Sequence, residues 1–361
     1  MSATAKAEPG SRPLGGGGPG RPAHAHEGAA MLGSDDFARL TDPFRAELLA
    51  HCYRMLGSVH DAEDQVQETL IRAWRSYGEF EGRASLRTWL YRIATNACLR
   101  ALENRGRRPL PTGLGGPGQD PEAPLEPERP EALWLQPFPD ALLRSESADP
   151  ASVAASRMSV RLALIAALQH LPARQRAVLI LRDVLGWRAS EVAGLLGVSA
   201  AAVNSVLQRA RDHLRQVAPA QDDVREPAEP ELRALLDRYA AAFENADVAA
   251  LMRLLRDDAV LEMPPQPTWF AGRGQIGRFL AFRVFGRPGD FAMVPTAANG
   301  QPAFAAYLRG HDGVHRAHAV QVLTVPDAAG IARVVSFNQP ELLALFGLPE
   351  ALPAAAARPR P

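Results

Sequence analysis

The sequence predicts a multidomain protein in which two all-α domains precede an α+β domain. Three observations lead there. The 361 residues exceed what one ordinary core accommodates. Apolar residues recur at helical spacing in two blocks, about 34–108 and about 158–217, with a Pro/Gly-rich stretch between them. After about residue 258 the spacing changes to short alternating runs bounded by Gly, Pro and Asp, the pattern of strands.

The expected divisions follow. Residues 1–33 form a disordered extension, 34–108 a first helical domain and 109–157 a linker. Residues 158–217 form a second helical domain, 218–229 a second linker, 230–342 the α+β domain and 343–361 a flexible tail. The extension, with "GGGGPG" and "HAH", has no hydrophobic segment of signal type. His24 and His26 there read as solvated, and translation could begin at Met1 or Met31.

In the first block, Phe44, Leu48, Leu49, Cys52, Met55 and Leu56 mark one helix, broken at "GSVH". "DAEDQVQETLIRAWRSY" follows, with Asp61 as its expected N-cap and Val66, Leu70, Ala73 and Tyr77 as its buried stripe. "GEFEGRAS" reads as a loop before the helix "LRTWLYRIATNACLRALENRGRR". Within the linker, "ALWLQPFPDALL" is an apolar island that either docks on a partner or packs on a neighbouring domain. In the second block, Pro172 is placed as an N1 residue. "ASEVAGLLGVSAAAVNSVLQRARDHLR" has a helix–turn–helix outline, with Ala193 at the close approach, Gly197 in the turn, Ser199 as N-cap and Val203 as plug.

Charge narrows the function. Forty basic residues balance forty acidic ones, so a nucleic-acid surface must be a local patch. Such a patch exists on the last helix of the second block. Leu207, Ala210 and Leu214 continue its core stripe, while Asn204, Ser205, Gln208, Arg209, Arg211 and Arg215 face away. Amides pair bidentately with adenine and Arg with guanine in the major groove. A second basic stretch carries Arg83, Arg87, Arg92, Arg100, Arg105, Arg107 and Arg108 with Trp89 and Tyr91, a mixture suited to phosphates and unpaired bases. Trp89 reads rather as core. The acidic run Asp61, Glu63, Asp64 and Glu68 would repel DNA and calls for solvent or a basic protein partner. Cys52 and Cys98 have no ligand spacing and read as core residues in a reducing compartment; no apolar run reaches transmembrane length. No metal or cofactor is expected.

"DAEDQVQETLIRAW", "FEGRASLRTWLYRIATNACLRALENRGRR" and "LPARQRAVLILRDVLGWRASEVAGLLGVSAAAVNSVLQRARDHLR" resemble regions 2 and 4 of sigma-70-family factors of the extracytoplasmic-function type, over about half the chain. The resemblance implies a cytoplasmic, non-enzymatic transcription initiation factor. Its partners would be core RNA polymerase, through clamp helices and flap, and promoter DNA. By resemblance Asp61, Glu63, Asp64, Gln67 and Glu68 contact polymerase. A loop at Phe80 to Ser85, with Phe80, Arg83 and Ser85, captures a flipped base of the −10 element, joined by Thr88, Arg92, Asn96 and Arg100. Asn96 reads equally as a structural hydrogen-bonding residue. Ser199, Asn204, Ser205, Gln208, Arg209, Arg211 and Arg215 would read the −35 element. Many relatives carry basic residues where Asn204 and Val206 stand here, which implies weaker phosphate attraction.

"RYAAAFENADVAALMRLLRDDAVLEMPP", "WFAGRGQIGRFL" and "ANGQPAFAAYLR" resemble a SnoaL-like domain, an α+β cone that hosts enzymes and non-enzymes. In some factors such a domain regulates in cis. Glu262, Trp269, Tyr307 and His318, with His311 and His315, are candidate pocket residues for a small ligand or protein. Two rival readings remain: a free-standing operator-binding regulator, and a SnoaL-like isomerase or hydrolase with accessory helices.

Overall fold

The computed structural model describes residues 34–82, 84–103, 106–128, 133–143, 157–217, 229–326 and 330–352. The N-terminal extension and Arg83 lie outside them, as do Arg105 and most of the second linker. The first helical domain comprises α1 (Ser34–Thr41), α2 (Arg45–Leu56), α3 (Val59–Arg75) and α4 (Leu86–Glu103). Every residue of α2 from Leu48 to Leu56 is buried, so its polar side chains must find partners inside. His51 Nε2 lies 2.9 Å from Thr95 Oγ1. Tyr53 donates to the Gln136 carbonyl at 2.8 Å, and Arg54 to that of Ser159 at 3.1 Å. Gly57, at φ 70°, turns the chain into α3. The cap of α3 is Ser58, whose Oγ accepts from Asp61 N at 3.2 Å; the expected N-cap Asp61 instead lies inside the helix.

The second helical domain has α5 (Leu162–Leu168), α6 (Ala173–Leu179) running into a π-turn at Ile180–Val184, α7 (Ala189–Leu196) and α8 (Ala200–Val217). Pro172 is the N-cap of α6 rather than its first turn. The two helical domains share one core. Arg176 of α6 is 3% exposed and donates to the carbonyls of Met55, Gln169 and Leu171 and to Gln169 Oε1. Trp187 packs 5.6 Å from Tyr91 of α4, and Cys52 and Cys98 are buried beside this seam.

The third domain has α9 (Glu229–Glu244), α10 (Val248–Leu254) and α11 (Arg273–Phe279) against an open sheet. Its strands are β1 (Leu255–Met263), β2 (Gln266–Ala271), β3 (Phe291–Ala298), β4 (Gln301–Arg309), β5 (His315–Thr324) and β6 (Ile331–Phe337). Their order is β2-β1-β6-β5-β4-β3, antiparallel except for β1 with β6. Alternation along each strand gives two apolar faces. Leu261, Phe304, Ala306, Leu323 and Val334 pack under the domain's own helices. Ala305, Tyr307, Val320, Val322 and Phe337 belong to the core of the helical domains.

Two expectations change here. The described parts of the Pro/Gly-rich linker lie on the fold, with Trp134, Leu135 and Phe138 of the island buried and Pro139 bridged to Ala298. Residues 343–352, expected within a flexible tail, lie on the fold instead, because Leu343 is buried and Glu350 O accepts from Ala317 N at 2.8 Å. Among the described residues no single helix is long and apolar enough to cross a membrane.

Candidate nucleic-acid interface

On α8, Val203 and Ala210 are fully buried and Leu207 is 5% exposed, which turns the opposite face outward. Gly197 adopts φ 67° in the turn, and Ser199 Oγ caps α8 by accepting from Ala202 N at 3.1 Å. Asn204, Ser205, Gln208, Arg209, Arg211 and Arg215 are all exposed. Three of them have acidic partners. Arg211 makes a bidentate pair with Asp183 (2.8 and 2.7 Å), Arg215 reaches Asp212 at 2.9 Å, and Gln208 donates to Asp212 at 3.2 Å. The Asp183 carboxylate raises the Arg211 pKa further, so this guanidinium stays charged.

On the first domain, Phe80 lies 4.9 Å from Trp89 and 6.1 Å from Tyr77, a half-buried aromatic cluster beside the loop. Ser85 Oγ accepts from Thr88 N at 3.1 Å and lies 2.9 Å from Thr88 Oγ1, so both are tied into the start of α4. Arg92 and Arg100 are exposed. Asn96 and Arg100 face a groove of about 490 Å³ whose far wall is Ala173 and Arg174 of α6. The Asn96 side chain bonds to no described residue, which leaves it free to face that groove.

Other arginines of the basic stretch have structural work. Arg87 pairs with Glu47 at 2.7 Å and lies over the Tyr91 ring. Arg107 holds the Gly113 carbonyl, and Arg108 holds the Trp134 carbonyl and Asp61. Asp61 is therefore in a largely buried ion pair, 2.5 Å from Arg108, and not on the exposed acidic face. Glu63 is half-buried, and Glu68 pairs with Arg72. Asp64 and Gln67 are exposed in line with Ile71 and Trp74, which are 45% and 52% exposed. Those two apolar residues were missed in the sequence. Their position off the buried stripe of an amphipathic helix was the available signal.

The third domain grips both helical domains. The β3–β4 turn carries Asn299 and Gly300 at φ 58° and 66°, the left-handed pair of a tight hairpin. Asn299 is fully buried. Its amide donates to Tyr53 Oη (2.8 Å) and Val160 O (2.7 Å), and its Oδ1 accepts from Phe138 N (2.9 Å). Gly300 N donates to Asp140 at 2.7 Å, and Gln301 Oε1 accepts from Leu162 N at 3.1 Å. One turn thus joins α2, the linker and the entry to α5.

The expected pocket residues divide. Glu262, fully buried, accepts from Thr112 N (2.9 Å) and Arg333 (3.1 Å); Trp269 donates to the Gly115 carbonyl at 2.9 Å. Both hold the linker, and neither lines the cavity between the sheet and its helices. Tyr307, on the docked face, donates to Pro349 O at 2.9 Å. His311 is exposed, and His315 Nε2 lies 2.9 Å from Gly289 O. Only His318 of these lines the cavity between the sheet and its helices, about 70 Å³, with Gln321, Ser336 and Asn338. Burial lowers the His318 pKa and keeps its ring neutral.

Residues 40–108 match the Sigma-70 region 2 family, 161–214 the Sigma-70 region 4 family and 236–334 the SnoaL-like domain family. The ECF RNA polymerase sigma factor SigG of Mycobacterium tuberculosis is 52% identical over 319 residues, 88% of this chain and 85% of that one. The probable ECF RNA polymerase sigma factor SigI of the same organism is 26% identical over 301 residues, 83% and 92% of the two chains. The crystal structure of the extracytoplasmic function sigma factor SigJ of M. tuberculosis has the same fold. It matches with a TM-score of 0.55 at 23% identity, covering 85% of this chain and 98% of that one.

Proposed function

The chain belongs to the extracytoplasmic-function family of RNA polymerase sigma factors, and from that premise we propose how its surfaces divide the work of promoter-specific initiation. A sigma factor binds core polymerase and promoter DNA. Here the exposed stripe Asp64, Gln67, Ile71 and Trp74, flanked by Glu63 and Glu68, meets the basic clamp helices of the polymerase. Charge steers the approach and the two apolar side chains supply the desolvated centre. Phe80, Ser85, Thr88, Arg92, Asn96 and Arg100, with Arg83, engage the −10 strand as it unstacks. Ser199, Asn204, Ser205, Gln208, Arg209, Arg211 and Arg215 engage the −35 element, with the polymerase flap behind the second helical domain.

The SnoaL-like domain regulates in cis, without catalysis. The observation that carries this reading is the Asn299 turn, whose bonds to α2, the linker and the entry to α5 join all three parts of the sigma module. The test is run-off transcription with core polymerase and the full chain, wild type against Asn299→Ala. A specific transcript that disappears when the −35 element is scrambled supports initiation; an altered yield with Asn299→Ala supports regulation through the turn. No transcript on any promoter from a genomic library would remove the assignment of the DNA-reading faces.

A further inference from the structure

The linker segment from Gly115 to Glu128 is seated on the outer rim of the third domain, and the seat has more features than a simple tether needs. The segment contains four prolines, four acidic residues and no basic one. β2 is the end strand of the sheet, so its outer edge offers backbone groups to an added chain. Gly118 N donates to Trp269 O at 2.8 Å, and Trp269 Nε1 donates to Gly115 O at 2.9 Å. Glu126 N donates to Thr268 Oγ1 at 3.0 Å. On α11 and the π-turn that continues it, Arg283 donates to the carbonyls of Glu122 and Ala123, each at 2.8 Å, and Arg278 meets the Glu122 carboxylate at 3.0 Å.

Three positions of the segment are fitted by shape. A Cβ at Gly118 would stand 2.9 Å from Phe270 Cε1 and 3.3 Å from Thr268 Cγ2. Phe270 is 1% exposed and packs 4.7 Å from Phe279, so the ring has no room to retreat. Pro121 is buried, and Leu125 packs against the core of this domain. The prolines lack N–H groups and favour an extended chain, so the segment cannot continue the sheet and loses little freedom on docking. The Arg278–Glu122 pair is half-exposed, so it orients the chain more than it tightens it. Backbone bonds at a sheet edge combined with fitted side chains are a recurring mode of peptide recognition.

We propose that β2 and α11 form a recognition site for an extended, acidic, proline-containing peptide of the pattern Gly-x-x-Pro-Glu-x-x-Leu, with the linker as its internal occupant. A protein partner presenting such a segment takes the same seat only when the linker leaves it, because the tethered copy competes at an effective concentration in the millimolar range. Arg283 is spent on main-chain carbonyls and the Gly118 contact admits no side chain, features that select a peptide over a phosphate backbone. While seated, the segment adds nothing to the reach between the two helical domains; released, it adds up to ~3.5 Å per residue. The site does not rest on the cis-regulation reading, because its occupancy is measurable whether or not transcription responds.

The probe is a fluorescein-labelled synthetic peptide with the sequence of residues 115–128, titrated by fluorescence anisotropy into two full-length chains. Wild type should not bind it at micromolar concentration, since its own segment fills the seat. The double variant Gly118→Val, Leu125→Asp, which unseats the internal segment, should bind it. A peptide carrying Gly118→Val should bind that chain at least about tenfold more weakly. Arg283→Ala added to the double variant should weaken the unaltered peptide as well. If the double variant does not fold, hydrogen exchange on wild type and the single Gly118→Val chain supplies a second measurement. There the Glu126 amide should lose about tenfold or more of its protection, while the Asn299 amide, bonded to Phe138 O, keeps its own. No binding to a folded double variant at millimolar peptide, equal binding to wild type and double variant, equal affinity for the two peptides, or unchanged Glu126 exchange in Gly118→Val would each overturn the proposal.

Discussion

His51 has no exposed surface, and that burial, helped by the positive charges of Arg54 and Arg87, lowers its pKa from 6.5 to about 3. The unfolded chain binds this proton near pH 6.5, the folded chain only near pH 3. Stability is therefore lost as pH falls through that window, by up to ~1.4 kcal/mol per pH unit. Urea unfolding at pH 7 and pH 4.5 should show a larger loss for wild type than for His51→Gln, which keeps a hydrogen-bonding group toward Thr95; equal losses would refute the assignment. At the surface, Asp64 and Trp74 make a different kind of prediction. Asp64→Arg places like charge against a basic partner, and Trp74→Ala removes the exposed ring. Each should weaken core-polymerase binding at least tenfold, with the Asp64→Arg defect falling mainly on association rate. Surface plasmon resonance separates the two rates, and unchanged affinity in both variants would remove the α3 stripe from the interface. Neither should alter thermal stability by more than ~0.5 kcal/mol, since both side chains are exposed.

The recognition helix α8 carries its own neutralisation. Asp183 holds Arg211 in a bidentate pair, and Asp212 holds Arg215 and Gln208. Asp183→Asn should free one guanidinium for phosphate, steepening the salt dependence of DNA binding by about one unit of slope, whereas Arg209→Ala should flatten it by a similar amount. A salt slope unchanged in Asp183→Asn would mean that Arg211 meets DNA with its carboxylate partner in place. The faces of α8 were legible in the sequence because an isolated 3.6-residue stripe settles which side is buried. The cap of α3 was not, because Ser58 and Asp61 both satisfy the residue preference and only backbone geometry chooses between them. The strands were harder still. Both faces of the sheet are buried, so alternation of apolar with polar did not mark which face held the cavity. Glu262 and Tyr307 fall on the face held by linker and tail, while His318 reaches the cavity only through a bulge that no alternation rule anticipates. The linker's Pro and Gly content gave no sign that Thr112 and Gly115 would be hydrogen-bonded to Glu262 and Trp269.

At the scale of the whole molecule, the two faces proposed to read DNA are too close to work together in this arrangement. α4 packs on α6 and α6 on α8, so about two helix diameters, ~20 Å, separate them. Elements named −35 and −10 lie roughly 25 base pairs apart, which at ~3.4 Å per pair is ~85 Å along the duplex. The groove wall formed by Ala173 and Arg174 also stands against Asn96 and Arg100, the residues assigned to the melted strand. On the proposed division of the DNA contacts, promoter engagement is expected to open the seam at Arg176 and Trp187, with the Asn299 turn, bonded to both sides of that seam, letting go of at least one. Because Cys52 and Cys98 are buried, dyes can be placed on surface cysteines introduced as Arg39→Cys and Gln216→Cys. Energy transfer between them should be high in the free chain and fall on forming the holoenzyme–promoter complex. Asn299→Ala should shift the free chain partway toward the low-transfer state, because it deletes three buried hydrogen bonds on the closed side only. High transfer retained on promoter DNA, with specific transcript still produced, would show that the closed seam is compatible with initiation and that the turn is not the latch.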